Sequence, residues 1–194
     1  MSNCTSIAIN GINSFCNTSV GGIVEVYAIP GDYIDSVQTG TGNTADFESA
    51  VSGVVTGVTY HSGATTASTS DWVLYKFRKN SSSMNKSYSF DDATGYAAYE
   101  TQLTMLFTRM DAAKRAELVA LAKGGARFIV KDSNGHYWFL GADEEVTVSE
   151  LTGQTGQQKT DGNYYQVVLT DTSKELPYEC DKTFAETIAN AANS

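Results

Sequence analysis

A mainly β (α+β) fold, an antiparallel β-sandwich or barrel with one flanking helix, is predicted by three features of the sequence. Short segments such as GGIVEVYAIP, DWVLYKFRKN and YYQVVLTD alternate side chains at the period of a strand or run β-branched and aromatic. Hairpin-length Gly, Ser and Asn links separate them, which favours antiparallel pairing. Only one segment, at about 111–123, changes to a helical period.

Residues 1–20 read as an N-terminal arm, with SIAI at 6–9 as a short strand and Gly11, Asn13 and Asn17 interrupting it. The domain proper spans 21–171. Its first strand places Ile23, Glu25 and Tyr27 opposite Val24, Val26 and Ala28, and Pro30-Gly31 ends it. Residues 31–71 are rich in Gly, Ser and Thr and are expected to project as one long hairpin, with strand pieces near 34–37 and 53–60. The tip at 38–48 is expected to be dispensable for folding. DWVLYKFRKN sets Trp72, Leu74 and Lys76 against Val73, Tyr75 and Phe77, and with KSYSF at 86–90 suggests a hairpin over 72–90. The stretch 95–110 is a long strand, with Leu103, Met105 and Phe107 on one side.

In DAAKRAELVALAKGG, Asp111 is a good N-cap, Ala113, Leu118, Leu121 and Ala122 form an apolar stripe, and Gly124-Gly125 is expected to supply a left-handed C-terminus. ARFIVKD and YWFLG flank Ser-Asn-Gly-His, where Asn134-Gly135 suits a type I′ turn. The consecutive apolar residues of 137–141 require cover on both faces. EEVTVSEL at 144–151 and YYQVVLTD at 164–171 complete the strands. Residues 172–194 read as a C-terminal arm, with a short helix at 184–193.

Charged residues make up only 18% of the chain, and Ser, Thr, Asn and Gly take their place. Such a surface is weakly hydrated and suits packing against copies of itself. The net charge of −9 argues against a protein that grips nucleic acid, because neutralising phosphates takes clustered Lys and Arg. Cys4, Cys16 and Cys180 form no CxxC pair, and with only His61 and His136 beside them they give no zinc-ligand spacing. Three cysteines argue against a secreted disulfide scaffold and for reduced thiols. The N-terminus has no basic and apolar signal pattern, and no stretch is long and apolar enough for a helical membrane span, so a soluble protein made in the cytoplasm is expected.

No nucleophile elbow, P-loop or HExxH motif occurs, so no catalytic residue, cofactor or metal is assigned and the chain is not expected to be an enzyme. Asp91-Asp92 and Glu144-Glu145 are adjacent pairs, which on a strand point to opposite faces and make neither a chelate nor an acid/base couple. His61 and His136 fall in a loop and a turn and read as solvated. The aromatics around Trp72 and Trp138 are accompanied by few cations, so they read as core or subunit contacts rather than a nucleic-acid platform.

Between 99 and 171 the order is strand, basic-apolar helix, FIVKDSNGHYWFLG, a polar loop and TDGNYYQVVLTD. That order resembles the tail-tube proteins of tailed phages and the related tubes of contractile injection systems. The resemblance implies a sandwich that closes into a ring, usually of six copies. Rings stack into a hollow virion tail through which DNA is ejected, and strands join across copies into a barrel lining the lumen. It further implies arms that reach a neighbouring ring, for which 4–20, 31–71 and 172–194 are the candidates. Other virion tail or neck proteins would be partners, and assembly would take place in the host cytoplasm. A head-to-tail connector, another ring or a tail terminator is the nearest alternative, and a β-sandwich binding or fibre module a further one. DNA would pass the wall without binding. The carboxylates expected to line it are Asp91, Glu100 and Glu145, with Asp92, Asp143 and Glu144 nearby. The opposite expectation is a wall formed by Lys76, Arg78, Lys79 and Lys86.

Overall fold

A computed structural model describes residues 20–44, 51–62, 67–78, 81–92, 95–158 and 161–193. Residues 1–19, with the expected strand at 6–9 and with Cys4 and Cys16, therefore lie outside the described residues, as does Lys79. The fold is mainly β, built from antiparallel sheets with helices packed against them. One sheet has the order β11-β8-β7-β1-β4, from Tyr178–Glu179, Tyr137–Leu140, Ala126–Asp132, Ile23–Pro30 and Val73–Lys76. A second has the order β5-β6-β10-β9, from Ser83–Asp91, Tyr96–Thr108, Tyr164–Ser173 and Thr147–Gln154. A hairpin of β2 (Ile34–Gly42) and β3 (Val51–Tyr60) stands apart from both, and helices α1 and α2 cover Ala112–Lys123 and Lys182–Ala192.

The five-stranded sheet is buried on both faces. Val26, Phe128, Val130 and Leu140 meet Leu103, Met105, Val167 and Leu169 of the second sheet, which makes a sandwich. Tyr27, Ile29, Ile129, Tyr137 and Phe139 face the other way, onto Ile34 and Val55 of the hairpin and Ala185 and Ile188 of α2. The run Tyr137–Leu140 divides as its composition requires, with Trp138 and Leu140 in the first core and Tyr137 and Phe139 in the second.

A hairpin over 72–90 does not form, because β4 pairs with β1 and β5 with β6, in different sheets. Leu74 packs into one core and Tyr75 into the other, so β4 needs cover on both faces, and only the five-stranded sheet supplies it. The stretch expected as a strand from 144 also changes sheets. Val146 bridges Ala126, and β9 begins at Thr147 beside β10.

Asp111 caps α1 by accepting from Lys114 N at 2.8 Å. Its far end differs from expectation. Gly124 is extended, at φ −115° and ψ 157°, because the chain turns directly into β7. The apolar stripe is narrower than the sequence suggests: Leu118 is buried and Leu121 half-buried, but Ala113 and Ala122 are exposed. The β7–β8 turn is also not type I′, since Gly135 alone has positive φ, at 90°. Gly135 N–H donates to Asp132 O, and Asp132 N–H to His136 O, as in a three-residue loop with a glycine bulge.

The described parts of 31–71 do not project freely. Ile34, Val54 and Val55 are buried, and Val55 forms a parallel bridge with Cys180. Asp181 fastens the far end: one carboxylate oxygen accepts from Asn43 N–H at 2.8 Å while the other caps α2 by accepting from Phe184 N–H at 3.1 Å. Lys182 N–H also donates to Asn43 O. The described part of the tip, up to residue 44, is therefore tied to the fold, and the C-terminal stretch carries a docked strand and helix rather than a free arm. Asp181→Ala removes the cap and the anchor together. It is expected to lower stability by about 2 kcal/mol, read as a reduced thermal midpoint; a midpoint equal to wild type would show that the hairpin and α2 hold without it.

Candidate functional site

The four-stranded sheet presents one face to the core and one outward. Along β6, Thr101, Leu103 and Met105 are buried, and Glu100, Gln102, Thr104 and Leu106 point the other way. Register carries this outer face across Asn85 and Ser87 of β5, Gln166, Val168 and Thr170 of β10, and Glu150 and Thr152 of β9. It is paved with hydroxyls and amides that bond one another. Gln102 Nε2 donates to Glu100 Oε1 at 2.9 Å, Thr170 Oγ1 to Ser149 Oγ at 3.0 Å, and Ser149 Oγ to Val168 O at 3.0 Å.

The structure separates the three carboxylates expected along a lumen. Glu100 is half-exposed on this outer face. Asp91 pairs with Tyr96 at the far end of the β5–β6 hairpin in the same sheet. Glu145 belongs elsewhere, at the end of the five-stranded sheet. Its carboxyl lies where a Cβ on Gly31 or Gly125 would stand, and those glycines join through Gly31 N–H to Gly125 O at 3.1 Å. That close approach is what the two glycines permit. Glu150, a second carboxylate of the outer face, was not singled out from the sequence; strand alternation alone could have found it.

The cations considered for the wall lie apart from one another as well. Lys86 is the only Lys or Arg in β5, β6, β9 and β10, and its side chain is on the core side. Its ammonium sits 3.4 Å from the centre of the Trp138 ring, and burial lowers its pKa against the pull of Asp132 and Glu179. Lys76 belongs to the other sheet, where its Nζ donates to Asn193 Oδ1 at 3.0 Å. Nor are the histidines merely solvated: His136 Nδ1 lies 2.5 Å from Glu179 Oε1 and His61 Nδ1 2.9 Å from Asp35 Oδ1.

The two outer strands of the sheet, β5 and β9, have no strand beside them among the described residues. Both carry exposed apolar side chains on the core-side face. Tyr88 and Phe90 are 55% and 54% exposed and share the face of half-buried Met84, whose partner Leu103 is buried; Leu151, opposite buried Val167, is 38% exposed. Tyr88 rests on Tyr99, with ring centres 5.0 Å apart.

Asp171 is the buried carboxylate of this sheet. It lies opposite Thr101 and accepts from Gly141 N–H at 3.2 Å. Burial raises its pKa above the ordinary 3.8, and that hydrogen bond offsets the effect only in part. The unfolded chain then releases this proton first, so this group's contribution to stability falls as pH rises above about 3.8. Asp171→Asn keeps the acceptor for Gly141 and removes the charge. A higher thermal midpoint than wild type at pH 7, with the gap closing toward acid pH, is the expected result; a lower midpoint at pH 7 would refute it.

Cys180 is buried, and burial raises its thiol pKa well above the ordinary value, which suppresses thiolate chemistry. Among the described residues no group of three or more His, Cys, Asp or Glu is placed to hold a metal ion, and no helix is long and apolar enough to cross a membrane. No family model, curated protein or solved structure matches the chain.

Proposed function

We propose that this chain is a non-catalytic structural subunit of a phage tail tube, joined to its neighbours through the two outer strands of its four-stranded sheet. The observation that carries this reading is the matched pair of open edges, with Tyr88 and Phe90 at one and Leu151 at the other, all on one face. Pairing β5 of one copy with β9 of the next satisfies both rows of backbone groups. It also brings those apolar side chains together. Such a contact is head-to-tail, so repetition closes a ring once the rotation matches. Six copies per ring is the number the tail-tube resemblance implies.

In that ring the outer faces join into one wall. Its strand residues bring Glu100 and Glu150 and no basic side chain, which suits phosphates that slide without adhering. Stacked rings would form the conduit of a virion tail assembled in the host cytoplasm, with other tail or neck proteins at its ends.

Light scattering after size exclusion, with negative-stain imaging and duplex-DNA anisotropy, tests the reading. Rings that stack into tubes as concentration rises, and no DNA binding at physiological salt, are expected. Rings that never stack point to a connector or terminator, and trimers to a fibre-type module. A monomer at high concentration removes the reading altogether.

A further inference from the structure

Where the C-terminal end of α2 crosses the five-stranded sheet, a polar cavity of about 400 Å³ is lined by Glu25, Tyr27, Lys131, Tyr137, Asn190 and Asn193. Asn193 Oδ1 accepts there from Lys76 Nζ of β4 at 3.0 Å. The carbonyl carbon of that amide lies one bond farther, so an amine and an acyl group stand in near-attack range. The amide is held at its other end as well. Asn193 Nδ2 donates to Ala189 O at 2.6 Å, and the side chain lies beside the Tyr27 hydroxyl. Tyr27 Oη in turn donates to Glu25 Oε2 at 2.8 Å, and Lys131 Nζ lies 3.6 Å from the same oxygen. Glu25 stands directly opposite Lys76 in the pairing of β1 with β4, which puts both on one face of the sheet. An amine, an amide, and a carboxylate linked to that amide through a hydroxyl are the groups that acyl transfer between side chains requires.

We propose that Lys76 and Asn193 condense within one chain into an isopeptide bond, with release of ammonia. Glu25 takes one proton from the Lys76 ammonium, and the freed amine adds to Asn193 Cγ, leaving the negative charge on Oδ1. Nζ passes a second proton to Nδ2, the adduct collapses, and the Cγ–Nδ2 bond breaks. The proton held by Glu25 follows through Tyr27 Oη to the departing nitrogen. The products are a secondary amide and ammonium, and Glu25 is again a carboxylate. Burial and the Glu25 carboxylate raise the Tyr27 pKa above its ordinary 10.0, so the hydroxyl keeps a proton to hand on. Lys76 and Asn193 are exposed, so the ammonium escapes to solvent and the exchange is drawn forward. The bond would tie the end of α2 to the outermost strand of the five-stranded sheet. It would close a loop over a sequence separation of 117, which restricts the unfolded chain as a disulfide does. No second copy takes part, so the reaction is independent of assembly.

Intact-mass spectrometry of the full chain, followed over days after purification, tests this. The wild-type chain is expected to become lighter by the mass of one ammonia, and a protease digest to yield a branched peptide joining Lys76 to Asn193. Lys76→Arg and Asn193→Ala should both keep their full mass. Glu25→Gln should slow the linkage by at least about tenfold, the lower range for general acid–base catalysis, and Glu25→Asp should restore part of the rate. A wild-type chain that keeps its full mass overturns the inference. So does an ammonia loss that persists in Lys76→Arg, since Asn193 would then be closing on its own backbone. Linkage at the wild-type rate in Glu25→Gln overturns the proposed proton path.

Discussion

Leu151→Asp should leave the subunit folded and abolish its assembly. Leu151 sits mid-strand on β9, 38% exposed, so a carboxylate there is solvated in the isolated subunit. Its effect on the thermal midpoint should stay within that of a surface substitution, about 0.5 kcal/mol. At the proposed contact the same carboxylate would meet Tyr88 and Phe90 of the next copy, while Lys86, the cation on that face of β5, is held over the Trp138 ring. The desolvation of an unpaired charge costs several kcal/mol, and about 2.7 kcal/mol already corresponds to a hundredfold weaker contact. The concentration at which rings appear should rise at least about 100-fold, whereas Leu151→Ala should shift it far less. Light scattering across a dilution series reads both. Rings forming at an unchanged concentration would mean that β9 is not the joined edge, whatever the wild-type oligomer.

The largest expected loss of stability is at Leu118. It is 3% exposed, the buried residue of a helix whose other side chains are largely in solvent. It belongs to the same sandwich core as Leu103, Phe128 and Val146. Leu118→Asp forfeits that packing and places a carboxylate among apolar groups, a cost of about 3–5 kcal/mol. For a chain of this size the thermal midpoint should fall by roughly 10 °C. Ala113→Asp, on the exposed side of the same helix, should change it little. If Leu118→Asp melts like wild type, α1 is not fastened through this side chain.

The sequence by itself determined what depends on a few neighbouring residues. The alternation in 23–30 and 96–108 marked strands because a strand's period is set by its own backbone. Asp111 marked the start of α1 because a cap is satisfied within one turn. The unbroken apolar run at 137–140 announced a strand covered on both sides before either layer was known. Tertiary structure decided which elements meet. Tyr75 and Leu74 read alike as strand residues, yet only the pairing of β4 with β1 assigns them to opposite cores and separates β4 from β5. Ile34, Val54 and Val55 are too sparse among Gly, Ser and Thr to announce a core; they are buried because Asp181 and Cys180, far along the chain, close over them. The candidate face divided in the same way. Alternation could place Glu100, but Glu145 was assigned by the backbone approach of Gly31 and Gly125, and Lys86 by the Trp138 ring of the opposite sheet. Those contacts join residues distant in sequence, and a local period carries no information about a distant partner.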